Sequence, residues 1–331
     1  MIRARAIWFE SPGVAAVREE PLAEPGPSEA LVRTLACGIS AGTERLVLTG
    51  RVPPDIRAAM ALPSQRGSFD LPTSYGYAAV GLVEAIGPGT SPDLLGRTVF
   101  ALHPHHDRFI TNESALRPLH EGIPAPRGTL AANLETALNA VWDAEISLGE
   151  RVVVVGLGVV GQLITRLATL AGGRVACIDP DERRIDLARV LGCASTSPSI
   201  DPAIVADADV LIEASGSPEA LAALVASAGH EARVLVVSWY GERGVTLPLG
   251  GRFHPNRVTI RSSQVGAIPP ARRARFTFER RFSVVNELLR DEHLDRLVGP
   301  LVPFSDAPRL YAELAAGAPW NPPHRVLDPS R

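Results

Sequence analysis

The stretch 151–179, RVVVVGLGVVGQLITRLATLAGGRVACID, narrows the choice of fold more than any other part of the chain. Val152, Val153, Val154 and Val155 form an unbroken apolar run. It is too short for a helix and wholly β-branched, which predicts a strand buried on both faces. Gly156, Gly158 and Gly161 follow in a G-x-G-x-x-G spacing, and Leu163, Ile164, Leu167 and Leu170 continue at helical spacing. A second short strand over 175–178 ends at Asp179. Each part has a physical task in that order. Gly156 makes the tight turn, Gly158 lets a pyrophosphate approach the backbone, and Gly161 lets helix and strand close up. The helix N-terminus at Val159 and Val160 then offers free N–H groups to the phosphates. An acid about 20 positions on, at the tip of the next strand, holds ribose hydroxyls, and Asp179 stands there. Small residues also serve plain helix–strand packing, but strands, helix and acid together select a dinucleotide site.

Composition removes several function classes. The 331 residues are 46% hydrophobic with a net charge of −3, which describes a globular chain that does not seek polyanions, so no nucleic-acid partner is expected. No apolar run reaches membrane-spanning length, and the N-terminus lacks the core of a signal peptide. Cys37, Cys177 and Cys193 are scattered without a C-x-x-C pair, which suits a reduced cytoplasm and leaves no structural zinc knuckle. Every one of the 33 Lys-plus-Arg positions is arginine. Schiff-base chemistry and any Tyr–Lys mechanism are therefore excluded, because arginine does not give up its proton.

Before the glycine motif, segments 4–9, 30–35, 78–86 and 98–102 read as strands separated by Pro/Gly turns, which suggests a compact β-barrel-like domain. From about 130 the rhythm changes to helix at 131–143, then alternating strands (210–213, 234–238, 258–262) and a helix at 219–228, as in a doubly wound parallel sheet. An Ala/Ser/Asp-rich patch over 195–207 reads as a surface connection. An Arg-rich helical segment over 272–290, a further helix at 307–316 and a closing strand at 325–327 finish the chain.

This organisation resembles the medium-chain dehydrogenase/reductase superfamily. The resemblance covers nearly the whole chain and is carried by CGISAGTE from Cys37 to Glu44, GYAAVG from Gly76 to Gly81, Thr136, Ala214-Ser215-Gly216 and the stretch 262–266. It implies an α/β fold: a GroES-like β-barrel catalytic domain over 1–134, a Rossmann domain with a doubly wound parallel sheet over 135–267, and a return to the catalytic domain over 268–331. In the zinc alcohol dehydrogenases the first two motifs resemble C-G-I-C-x-T-D and G-H-E-x-x-G. This chain departs at each metal ligand: Ser40 (or Ala41) replaces the cysteine, Tyr77 the histidine and Ala78 its neighbouring glutamate, while the third ligand falls on Ala132. The four-cysteine lobe is missing. Zinc takes thiolate, imidazole or carboxylate, and these residues offer none, so no metal is expected. Locally, GISAGTERLVLTGRVPP resembles the corresponding segment of bacteriochlorophyllide a dehydrogenases.

The resemblance implies roles for single residues. Thr43 matches the hydroxyl that relays a proton from an alcohol, though a turn hydroxyl after Gly42 reads equally well. Thr136 matches the nicotinamide contact. Ser215, Gly216, Ser238 and Trp239 fall at the carboxyl ends of strands, where open α/β sheets bind ligands. Ser263 and Gln264 lie over the nicotinamide. Arg184 matches a basic ribose neighbour; Asp179 favours NAD, while Arg183 with Arg184 also accommodates NADP. The bland alternative for Asp179 is a cap on the helix starting near Pro180. Tyr77 reads either as a hydrogen-bond donor to the substrate oxygen or as filler of the vacated metal pocket. In His103-Pro104-His105-His106-Asp107, His103 is the candidate proton relay, set against a private metal site or a plain polar loop. Glu44 and Glu135 position these hydroxyls or pair with arginines such as Arg45. The expected activity is hydride transfer between NAD(P) and a small-molecule alcohol or carbonyl, by a homodimer. An enoyl or quinone reductase and a non-catalytic nicotinamide sensor stay open as alternatives.

Overall fold

In the computed structural model, which describes residues 2–331 (Ile2 without its side chain), the chain forms two compact units. The first runs to Ala132 and resumes from Asn286 to Arg331; the second is Asn133–Val285. The stretch 268–285 stays with the second unit, where the Arg281 guanidinium is tied to Glu135 at 3.0 Å. No helix among the described residues is long and apolar enough to cross a membrane.

The second unit is a six-stranded sheet in the order Ser195–Ser197, Arg174–Ile178, Arg151–Val155, Val210–Glu213, Arg233–Val236, Thr259–Ser262. All five pairings are parallel. In sequence order this is 3-2-1-4-5-6, with the direction of winding reversing beside the strand that carries the glycine motif. The four valines of that strand are 0–4% exposed, as a strand covered on both faces requires. At about 1.5–3 kcal/mol each, they bind the centre of the sheet to the helices on its two faces. The patch 195–207 is more ordered than a surface connection. Its first residues add the edge strand, and Asp201 caps the short helix Pro202–Ala206 by accepting from the Ala203 N–H.

The first unit holds a seven-stranded sheet in the order Val298–Pro303, His324–Asp328, Glu29–Ile39, Ala79–Ile86, Thr98–Ala101, Leu116–Pro118, with Arg108–Asn112 also paired to Glu29–Ile39. A smaller sheet is built on the hairpin Ile2–Ser11 and Val14–Leu22. Helices Ala41–Leu48 and Ala307–Ala315 bury Val47, Leu48, Leu310, Tyr311 and Leu314 in one core with Phe9, Ile39 and Phe304. This is the GroES-like partner of a Rossmann unit.

Candidate active site

The glycine turn shows why each glycine is where it is. Gly156 has φ +92°, and a Cβ there would sit 2.4 Å from the backbone of Ser215. A Cβ on Gly161 would lie 1.9 Å from the Gly156 carbonyl oxygen. Both are therefore fixed by close backbone packing. Gly158 is different, for nothing lies within 4 Å of the place its Cβ would take. The helix Val159–Leu170 begins there without a side-chain cap, and Gly158, Val159 and Val160 are all half-exposed. An open cradle beside uncapped N–H groups fits a diphosphate.

Asp179 is 4% exposed and braces this turn. One carboxylate oxygen accepts from the Leu157 N–H at 2.8 Å and the other from the Asp181 N–H at 2.9 Å, with an Arg184 guanidinium nitrogen 3.5 Å away. The cap of the following helix, Glu182–Val190, is Asp181 instead, which accepts from the Arg183 N–H at 3.0 Å. Arg183 is also committed to Asp181 through its guanidinium, which holds that carboxyl below its usual range.

Across the switch point, Glu213 ends its strand wholly buried. One oxygen accepts from the Ser215 N–H (2.7 Å), the Ser215 hydroxyl (2.6 Å) and the Gly216 N–H (2.9 Å); the other accepts from Tyr240 at 2.7 Å. Burial and this carboxylate push the Tyr240 phenol up. Gly216 also donates to the Ser238 hydroxyl at 2.9 Å, and Arg243 donates to the Gly216 carbonyl at 2.8 Å. Ser215, Gly216 and Ser238 thus form one braced edge, with Trp239 beside it 38% exposed. Sequence reasoning passed over Glu213, although an acid closing an apolar strand was its signal. Thr136 lies on the helix Ala131–Ala144, and Ser263 and Gln264 follow directly on the edge strand.

In the first unit, Ser40 precedes the helix Ala41–Leu48, and the half-buried Tyr77 donates its hydroxyl hydrogen bond to the Ser40 oxygen. Burial raises the Tyr77 phenol, against the opposing hydrogen bonds of Ser40 and Thr43, so it is protonated at neutral pH. Thr43, Ser40 and Tyr77 are therefore one hydroxyl cluster. Beneath it Glu44 is completely buried, accepting from the Ser40 N–H (2.8 Å), the Tyr311 hydroxyl (2.6 Å) and His105 Nε2 (3.1 Å). Glu44 thus pairs with His105 and not with Arg45. Burial alone would lower the His105 pKa, but the Glu44 carboxylate overrides it and raises it to about 10. The imidazole reaches this place because Gly76 precedes Tyr77: a Cβ there would lie 2.3 Å from His105 Nε2.

His103 is turned inward. It is 5% exposed, stacked on Phe109 with centroids 3.9 Å apart, and its Nδ1 lies 2.8 Å from the Pro104 carbonyl. Burial and the neighbouring His106 depress its pKa well below the usual value. Among the described residues, no group of three or more His, Cys, Asp or Glu is placed to hold a metal ion. The Ser40–Tyr77 pair offers hydroxyls, which do not fit zinc.

Comparison with known proteins agrees with this architecture. The family model for zinc-binding dehydrogenases matches residues 159–278. D-guloside 3-dehydrogenase of Escherichia coli K12 is 27% identical over 262 residues, covering 75% of this chain and 74% of that protein. The 2-desacetyl-2-hydroxyethyl bacteriochlorophyllide A dehydrogenase of Rhodobacter capsulatus is 27% identical over 249 residues, covering 71% of each. Among solved structures, a protein of Sinorhizobium meliloti 1021 assigned to the zinc-binding dehydrogenases, with NADP bound, superposes with a TM-score of 0.80 at 20% identity, over 99% of this chain and 100% of that one. The glycine turn, the 3-2-1-4-5-6 sheet, the β-rich first unit and these relatives point the same way: the chain is similar to the zinc-binding dehydrogenases of the medium-chain dehydrogenase/reductase superfamily in sequence and fold, and is an oxidoreductase.

Proposed function

We propose that this protein is a metal-independent, NAD-preferring dehydrogenase that interconverts a small alcohol and its carbonyl compound. The observation that carries the reading is the hydroxyl pair: Tyr77 donates to Ser40 at positions where the superfamily resemblance puts two zinc ligands. When bound, the nicotinamide supplies the hydride donor or acceptor at its C4. The open cradle at Gly158 and the N–H groups of Val159, Val160 and Gly161 hold the diphosphate, Asp179 and Arg184 face the ribose, and Ser215, Gly216, Ser238 and Trp239 border the dinucleotide along the braced edge. Thr136, Ser263 and Gln264 receive the nicotinamide.

On the substrate side, developing negative charge on a carbonyl oxygen needs a fixed donor. Tyr77, kept protonated by burial, turns its single O–H from Ser40 to that oxygen while the Ser40 hydroxyl donates to the Tyr77 oxygen in return, and Thr43 passes the proton onward. Glu44 holds the Ser40 backbone and, through His105 against Gly76, the base of Tyr77. His103, stacked on Phe109 and neutral, is left out of the relay. Pairing of two copies through the edge strand Thr259–Ser262, and a reduced cytoplasm that keeps the three free cysteines as thiols, complete the reading.

The test is turnover of NADH and NADPH with a panel of carbonyls, enones and quinones, with the products identified. An alcohol product with NADH supports the proposal. A saturated C=C bond assigns an enoyl-type reductase instead. NADH binding with no turnover on any compound supports a sensor.

A further inference from the structure

Glu135, Asn139 and Asp143 stand four residues apart on the helix Ala131–Ala144 and so share one face of it. All three are turned to the same task. Asp143 accepts from the Ser263 hydroxyl at 2.8 Å, Asn139 donates to the Gln264 carbonyl at 3.3 Å, and Arg281 donates to the Val265 carbonyl at 2.8 Å. Three consecutive residues of the loop are thus tied down in turn. Arg281 joins the ties: the same guanidinium nitrogen reaches Asn139 Oδ1 at 3.0 Å, while its Nε pairs with Glu135 at 3.0 Å. Asn139 and Asp143 are themselves bonded at 2.9 Å.

Arg281 is 4% exposed, and a buried guanidinium is a costly way to stabilise a fold when an apolar side chain of similar volume would serve. Its planar fork is suited to something else, holding two partners at fixed separation. We infer that Arg281 is a positioning residue: it locks the loop 263–265 in the conformation that receives the nicotinamide ring, with Asn139 and Asp143 as the other two ties. The inference rests on the proposed nicotinamide site and adds the residue that sets its shape.

The experiment compares two probes, NADH and ADP-ribose, which lacks the nicotinamide. Dissociation constants are measured by calorimetry for the wild type, Arg281→Lys and Asn139→Leu. Lysine keeps the charge beside Glu135 but cannot span to Val265. Losing one charge-assisted bond weakens NADH about tenfold, while ADP-ribose stays within about twofold of the wild type. Equal weakening of both probes, or no change in either, overturns the inference. Ser263→Ala, on the half-exposed end of the loop, is the variant to read if the others do not fold; it weakens NADH alone by about threefold, and an unchanged NADH constant overturns the inference. Failure of the underlying reading is separable, because it appears in the wild type: a protein that binds ADP-ribose as tightly as NADH has no nicotinamide pocket there.

Discussion

The buried Glu44–His105 pair predicts an unusual pH dependence of stability. Both side chains are fully buried, so solvent does not screen them. His105 titrates near 6.5 in the unfolded chain and near 10 in the folded one. A group whose folded pKa is raised contributes its stability below the unfolded value and loses it as pH climbs through the folded value. Between about pH 6.5 and 10 the folded protein binds one more proton than the unfolded chain, so stability falls by roughly 1.4 kcal/mol per pH unit from this residue. Over the whole window that is about 5 kcal/mol, an upper figure. Tyr311, which also donates to Glu44, is pushed well above its usual pKa by burial and that carboxylate, so it stays protonated across the window. His105→Asn removes the titration while keeping a polar side chain under Gly76. Urea unfolding of both proteins at pH 6.5, 7.5 and 8.5 is the assay, and the difference between them cancels titrating groups that do not touch His105, leaving the response of the Glu44–His105 pair. The wild-type advantage should be largest at pH 6.5 and shrink by about 1–1.4 kcal/mol per unit. A difference independent of pH would refute the charged pair.

Other expectations follow from the same geometry. Gly158→Ala should leave the melting temperature nearly unchanged, because its Cβ enters open space, yet weaken NADH binding at least about tenfold. Gly161→Ala drives a Cβ to 1.9 Å from the Gly156 oxygen and should cost about 2–4 kcal/mol of stability, read by urea unfolding. Asp179→Ala should raise KM for NAD far more than for NADP; equal effects on both would remove its ribose assignment. Tyr77→Phe should lower kcat about 10²–10³-fold with little change in NADH affinity, whereas an unchanged kcat would make the phenol mere filler.

The parts of the fold that were legible in the sequence are the parts set by neighbouring residues. The valine run, the glycine turn, the helix after it and Asp179 lie within thirty residues, and their order alone is enough to propose a dinucleotide there. The short edge strand Ser195–Ser197 was missed because three polar residues carry no apolar periodicity, although Asp201-Pro202 was a readable helix start. The Arg-rich helix begins only at Phe278, after turns that follow Pro269 and Pro270, with the Thr277 hydroxyl accepting from the Arg280 N–H. In the candidate site, Thr43 and Tyr77 were singled out by resemblance and Glu44 and Glu135 as neighbouring carboxylates, but the partners of those carboxylates were not readable. Glu44 meets His105 from 61 positions away and Glu135 meets Arg281 from 146. A charged residue's partner at such distance depends on the finished packing. The histidine cluster shows the same limit: its imidazoles that meet carboxylates are His105, on Glu44, and His106, 3.6 Å from Glu20, while His103 is stacked away on Phe109.

The proposed function is hydride transfer to or from an oxygen held by side-chain hydroxyls, without a cation. The most direct measurement is the metal content of the active protein, by mass spectrometry, together with its NADH-linked turnover before and after exhaustive chelation. Far less than one metal ion per chain is expected, with turnover that survives the chelator. Stoichiometric zinc, with activity lost on its removal and restored on its return, would contradict it.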